Sequence, residues 1–354
     1  MAIPTEPVGS IPRSEELQSA MAQHAKGLIT DDELSQLFDS AVEDTVKQLA
    51  ATGSLVVSDG EQAKSSFATY PLDGMTTLAP GGVSIPFEDG HVRQLPVITA
   101  GPFEYQNQAG SYVERAKRYT DLPVKQAVIS ASAMGLLYPP DGIDGYSQEQ
   151  FISDLIDQSE ADIRSCFEAG CDSVQMDFTE ARLALKLDPS GGLLQQFIDL
   201  NNAVFARFSD EEKQRIGVHT CPGGDHDSTH SADVPYADLI PSFMSLDVGR
   251  YFMQMASEAD PGPALAMIAE HLKPHQRLYV GVVDPCDPNV ESAELVRDRV
   301  LAAAAHIPVG QLGTTDDCGF SPFSDDIVTG RDTAFAKIAA RVEGTKLAEA
   351  ELGL

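Results

Sequence analysis

The sequence predicts a single (β/α)8 barrel over residues 1–354, with a small insertion near residues 71–114. Three observations predict this α/β fold. Short apolar runs alternate with amphipathic stretches along the whole chain, the pattern of parallel βαβ units. About eight such units can be marked out, the number that closes a barrel. Many of the runs end on polar, chemistry-bearing residues, and a parallel barrel gathers those ends on one face.

Taken in order, the runs that read as strands are residues 6–9, 55–58, 97–101, 124–130, 173–177, 216–220, 251–255, 278–283 and 309–312. Each is short, apolar and bounded by Gly, Pro, Asp or Ser. The stretches that read as helices are 14–25, 31–51, 147–169, 192–208, 236–246, 263–271, 291–306 and 332–343. In each, apolar residues recur three to four positions apart. Residues 71–114 are rich in Gly, Pro and Gln and read as an insertion with a small hairpin. Nothing resembles a linker that would cut the chain in two, and no repeat is present.

Composition narrows the function. Hydrophobic residues make up 42% and charged residues 22% of the chain, a globular balance that excludes a disordered or collagen-like protein. The formal net charge of −30 is spread along the sequence. Such an anion is repelled by phosphate backbones and anionic lipid, so neither nucleic acid nor a membrane surface is an expected partner. No stretch approaches 18 apolar residues, and the start lacks the basic-then-apolar pattern of a signal peptide. The five cysteines are odd in number and sparse, which fits a cytoplasmic chain with thiol or metal chemistry better than a disulfide framework. No P-loop, dinucleotide fingerprint or hydrolase elbow occurs.

The sharpest motif is His219-Thr220-Cys221. Residues two apart at an extended strand end point the same way, so the two side chains can converge on one ion. Cys318 ends the last strand, 97 residues later. A His, two Cys and one further group make a zinc site with an exchangeable position. The plainer alternative is that Cys221 packs as a small hydrophobe and His219 is a hydrogen-bonded core residue. Asp177 closes an otherwise apolar strand, where an unpaired charge is costly. Glu61 of Asp59-Gly60-Glu61 is placed to bind an amine or act as a base, or to lie solvated in a turn. His226 and His230 occupy the loop after Cys221, as substrate contacts, a proton relay or solvated residues. Cys166 and Cys171 read as packing residues and Cys286 as part of a turn.

Together these residues resemble the catalytic, C-terminal barrel of cobalamin-independent methionine synthase. That family belongs to the zinc-dependent thiol alkyltransferases on a barrel shared with uroporphyrinogen decarboxylase. Val8-Gly9-Ser10-Ile11-Pro12-Arg13 is similar to its opening strand and turn, and Ser58-Asp59-Gly60-Glu61 to its Asp/His-Gly-Glu segment. Val174-Gln175-Met176-Asp177 is similar to its Gln-x-Asp strand. His219-Thr220-Cys221 and Asp317-Cys318-Gly319 are similar to its two zinc segments. The resemblance implies zinc (Zn2+) on His219, Cys221 and Cys318. It implies Glu61 and Asp177 on the amino group of an amino-acid thiol, and Gly9 and Ser10 on its carboxylate. Asp177 and His226 are the residues expected to act at the reacting groups. The implied partners are a small thiol such as homocysteine and a methyltetrahydrofolate-like or other alkyl donor, with methionine as product. A homo-oligomer is compatible with this reading.

Two departures from the family stand out. Its fourth ligand, a Glu, falls by register at Gln254 or Met255. Glu258 is therefore the expected metal-binding carboxylate, with Gln254, water or substrate thiol as alternatives. The family's pterin-stacking Trp has no counterpart, because the chain contains no Trp. A related enzyme, epoxyalkane:coenzyme M transferase, opens an epoxide with a zinc thiolate. That chemistry would ask Arg13 or Arg182 to hold a sulfonate. A metal-free decarboxylase-like barrel and a non-catalytic binding protein are the remaining readings.

Overall fold

The computed structural model describes residues 2–354. Its centre is a parallel sheet of six strands in sequential order: Lys125–Ile129, Ser173–Asp177, Ile216–Thr220, Arg250–Met253, Arg277–Val283 and Leu312–Asp316. Five of the six are buried at nearly every position, as expected of strands covered on both faces.

Two further segments complete the ring. Thr5 bridges in parallel to Thr314 at one edge of the sheet, and Val57 to Val124 at the other. These two segments then meet each other. Ile11 N–H donates to Gly60 O at 3.0 Å, and Ser58 Oγ donates to Gly9 O at 3.0 Å. Buried side chains tie the interior together. Lys125 Nζ donates to Pro7 O at 2.6 Å and Gln175 Nε2 to Val8 O at 3.1 Å. Helices such as Asp31–Ala51, Gln148–Glu168, Gly192–Phe205, Ala293–Ala304 and Arg331–Leu352 form the outer layer, opened by capping boxes at Thr30 and Ser147.

Three expectations are corrected. Residues 97–101 are not a barrel strand. Val97–Ile98 pairs antiparallel with Leu78–Ala79 inside the insertion, because Pro96 and Pro102 cannot donate to a central ladder. The last barrel strand lies later than residues 309–312. Val309–Gln311 is a 3-10 turn after Pro308, and the strand is Leu312–Asp316, whose threonines the apolar pattern hides. The strand read as residues 251–255 is Arg250–Met253 and stops at Met253, since Asp317 takes the Met255 N–H.

The insertion does carry the expected hairpin, Ser84–Pro86 against Val92–Gln94. It ends before residue 110, where the helix Gly110–Lys117 packs into the barrel wall; Gly110 N–H donates to Ser165 Oγ at 3.0 Å. Two other short helices, Ala131–Gly135 and Glu180–Leu187, follow strand ends and are too short to declare a period. Among the described residues no helix is long and apolar enough to cross a membrane.

Candidate active site

Strand register sets the site. Asp177 and His219 are paired neighbours at the carboxyl ends of their strands. His219 Nδ1 lies 3.2 Å from Phe252 O, which makes it the protonated nitrogen. Its Nε2 is then buried with no hydrogen-bond partner. Orphaned buried nitrogens are rare and ask for a ligand. That ligand position is shared with two sulfurs: Cys221 Sγ and Cys318 Sγ lie 3.2 Å apart, and the ligand atoms of His219, Cys221 and Cys318 all fall within 4.8 Å of one another. The hydrogen bond from Cys221 and the nearby His219 hold Cys318 well below the usual thiol range, while Cys318 and burial push Cys221 up. Two sulfurs beside a bare imidazole nitrogen form a donor set suited to zinc.

Asp317 supports this group from behind. Its Oδ1 accepts the N–H groups of Met255 and Ala256, and its Oδ2 accepts the N–H and hydroxyl of Ser257, all at 2.7–2.9 Å. A Cβ at Gly281 would lie 1.9 Å from Asp317 Oδ1, so glycine there makes room for the carboxylate.

A pocket beside the sulfurs is lined by Ser10, Glu61, Asp177, Thr179, His219 and Cys318, among others. Glu61 has φ of 57° and follows Gly60 at 67°, a left-handed pair that turns its carboxylate inward. Burial drives its pKa up to about 7, with Asp177 and Asp59 adding to the rise and Lys64 opposing it. Lys64 Nζ reaches Glu61 Oε1 at 3.3 Å, while Oε2 is buried and unpartnered. Asp177 Oδ1 accepts Gln175 Nε2 at 2.7 Å, and burial raises this carboxyl too. Two partly unspent carboxylates thus face a small cavity. Gly9 and Ser10 border them: a Cβ at Gly9 would lie 3.4 Å from Glu61 Oε1, and one at Gly319 would lie 2.1 Å from Ser10 Oγ.

The structure brings together seven expected residues, Gly9, Ser10, Glu61, Asp177, His219, Cys221 and Cys318. It places five others elsewhere. Glu258 is paired with Arg182 at 3.0 Å, and the metal-capable group does not include it. Gln254 is engaged by the same guanidinium and by Ser257. His226 sits in a hairpin turn at the rim with φ of 51°, stacked on His91 at 5.3 Å. His230 lies under Gly223, and burial, then Lys186 and Arg182, bring its pKa down to about 4. Arg13 is spent on carbonyls, including Lys64 O at 2.8 Å. Sequence reasoning missed Lys64, and it missed Arg93 and His91 of the insertion, both of which converge on Asp225. No local motif marks these three.

Fold and site together define a parallel barrel with a sulfur-rich, metal-capable centre at the carboxyl ends of its strands. The chain belongs to the cobalamin-independent synthase family; the model of that family's catalytic domain matches residues 3–328. It is 22% identical over 348 residues to a 5-methyltetrahydropteroyltriglutamate–homocysteine methyltransferase of Trichodesmium erythraeum, covering 97% of this chain and 44% of the relative. A protein of the same name from Rhodopseudomonas palustris is 24% identical over 350 residues, covering 93% of this chain and 40% of the relative. The chain therefore spans less than half the length of these curated relatives. A solved B12-independent methionine synthase from Shewanella sp. W3-18-1 shares the fold, with a TM-score of 0.77 at 19% identity over 99% of both chains.

Proposed function

We propose that this chain, as one catalytic barrel over residues 1–354, transfers a methyl group from a methyl donor to a thiol such as homocysteine, giving methionine. The observation that carries the reading is the orphaned His219 Nε2 beside the Cys221–Cys318 sulfur pair, in the wall of a pocket holding the unpartnered Glu61 Oε2. His219, Cys221 and Cys318 are the residues that would hold zinc. When bound, zinc keeps a substrate thiol as its nucleophilic thiolate near neutral pH, where a free thiol of pKa about 8.5 is mostly protonated.

The chain's own groups do the rest. Glu61 and Asp177 receive the substrate ammonium, whose charge relieves two buried carboxylates at once. The Gly9–Ser10 segment takes the carboxylate. Asp317 fixes the loop beside Cys318 and so the orientation of that sulfur. The sparse, unpaired cysteines suit a cytoplasmic setting.

Opening of an epoxide by a sulfonate-bearing thiol is disfavoured. Arg13 and Arg182, the cations it would need, are committed to carbonyls and to Gln254 and Glu258.

The test is methionine formation from homocysteine by zinc-loaded protein with a panel of methyl donors, methyltetrahydrofolates first. Turnover that needs the substrate amine supports the reading. Equal turnover of thiols lacking an amine, or none with any donor, overturns it.

A further inference from the structure

Both sulfurs of the centre are met by one short hairpin, and that hairpin is held from outside by the insertion. Gly223 N–H donates to Cys221 Sγ at 3.4 Å. Gly224 passes so near that a Cβ on it would sit 3.7 Å from Cys318 Sγ. Gly223 has φ of 73°, and a Cβ there would lie 1.7 Å from His230 Nε2, so the path requires glycine. The hairpin pairs only Gly224–Asp225 with Ser228–Thr229. Two residues a side cannot hold their own geometry in water.

The anchor is Asp225, whose side chain is fully buried. Arg93, on the insertion strand Val92–Gln94, grips it with two prongs: Nε to Oδ2 at 2.5 Å and Nη2 to Oδ1 at 3.2 Å. The same guanidinium lies 4.1 Å from the centre of the Phe323 ring, in the loop after Cys318. The insertion backbone adds two bonds, Glu88 N–H to Thr229 O at 3.0 Å and Asp89 N–H to Ser228 Oγ at 3.2 Å. The insertion thus reaches the segments that carry both cysteines.

We propose that Arg93 is a positioning residue for the metal centre: its fork on Asp225 holds the Gly223–Gly224 segment against the Cys221 and Cys318 sulfurs. N–H donors at a metal-bound sulfur tune its charge, and partners of this kind are commonly worth about 10–100-fold in metal affinity. The inference rests on His219, Cys221 and Cys318 forming a metal centre.

The experiment is cobalt(II) titration of the full chain, read by the sulfur-to-cobalt charge-transfer band. Arg93→Gln is expected to bind roughly 10–100-fold more weakly than wild type, with a shifted band and unchanged far-UV circular dichroism. Its Gly223 and Gly224 amides should exchange hydrogen faster. Arg93→Lys, which keeps the charge and loses the fork, should fall between the two. Asp325→Asn removes the exposed partner of Arg93, 2.9 Å away, and should match wild type. Should Arg93→Gln not fold, Asp225→Asn carries the same expectation. Wild-type affinity and band in the Arg93 or Asp225 variant overturns the role of Arg93 alone. Failure of wild type to bind cobalt overturns the metal reading as well.

Discussion

Cys221 Sγ and Cys318 Sγ lie 3.2 Å apart although 97 residues separate them and two strands of the sheet stand between theirs. Only the curvature of a closing sheet brings such ends together. Each cysteine supplies half of the soft donor set, so neither is expendable. Cys221→Ser and Cys318→Ser should each lose tightly held zinc, measured as metal per chain, against about one in the wild type. Chelation of the wild type should lower Tm. At metal concentrations 100 to 1,000 times Kd the bound form gains about 3–4 kcal/mol. Zinc content indifferent to both substitutions would sink the site.

Gly281→Ala tests the support behind the sulfurs. The new Cβ would meet Asp317 Oδ1 at 1.9 Å and its Cα at 3.0 Å, so the backbone next to Cys318 must move. Overpacking of this kind costs about 1–3 kcal/mol. Denaturant unfolding should show that loss together with weakened zinc binding. A destabilised variant with unchanged zinc affinity would separate Asp317 from the metal centre.

Glu61 sets a pH dependence. Burial raises its pKa from 4.5 to about 7, so the folded protein keeps a proton that the unfolded chain releases. This group's contribution to stability therefore falls as pH rises from about 4.5 to about 7. Binding runs the other way, because only the carboxylate attracts an ammonium. Calorimetric affinity for methionine should fall about tenfold per pH unit below about 7, and Glu61→Gln should flatten the profile. An unchanged slope in that variant would place the titration elsewhere.

Glu180 should behave as a buried liability. Its Oε1 accepts the hydroxyls of Ser130 and Ser132 at 2.5 Å each, while Oε2 is buried without a partner. Burial holds its pKa at about 7 against 4.5 in the unfolded chain. Glu180→Gln keeps the shape and the acceptor and removes the charge. It should stabilise the protein above pH 7 by an amount on the order of 2 kcal/mol and do little at pH 5, by thermal unfolding at both values. Destabilisation at pH 8 would show that the ionised carboxylate is needed.

The apolar and polar periods of the chain are local properties, and they determined the barrel, most of its helices and the residues at its strand ends. His219, Cys221, Cys318, Glu61 and Asp177 were legible because each sits where an apolar run meets a polar terminus. What failed locally was whatever burial from a distance decides. The strand Leu312–Asp316 is buried throughout although three of its five residues are polar, so no apolar run announced it. Val97–Ile98 looked like a core strand, and its flanking prolines sent it to the insertion.

Tertiary structure alone decided which charges are free. Glu258 and Arg182 stand 76 residues apart, and no spacing rule says that they pair at 3.0 Å and leave His219, Cys221 and Cys318 as the metal-capable group. Nor does it say that Arg93 of the insertion reaches Asp225, 132 residues on, beside the sulfurs. Periodicity reports which face of an element is buried; the partner of a buried charge is chosen by chain segments distant in sequence, and only packing brings them within reach.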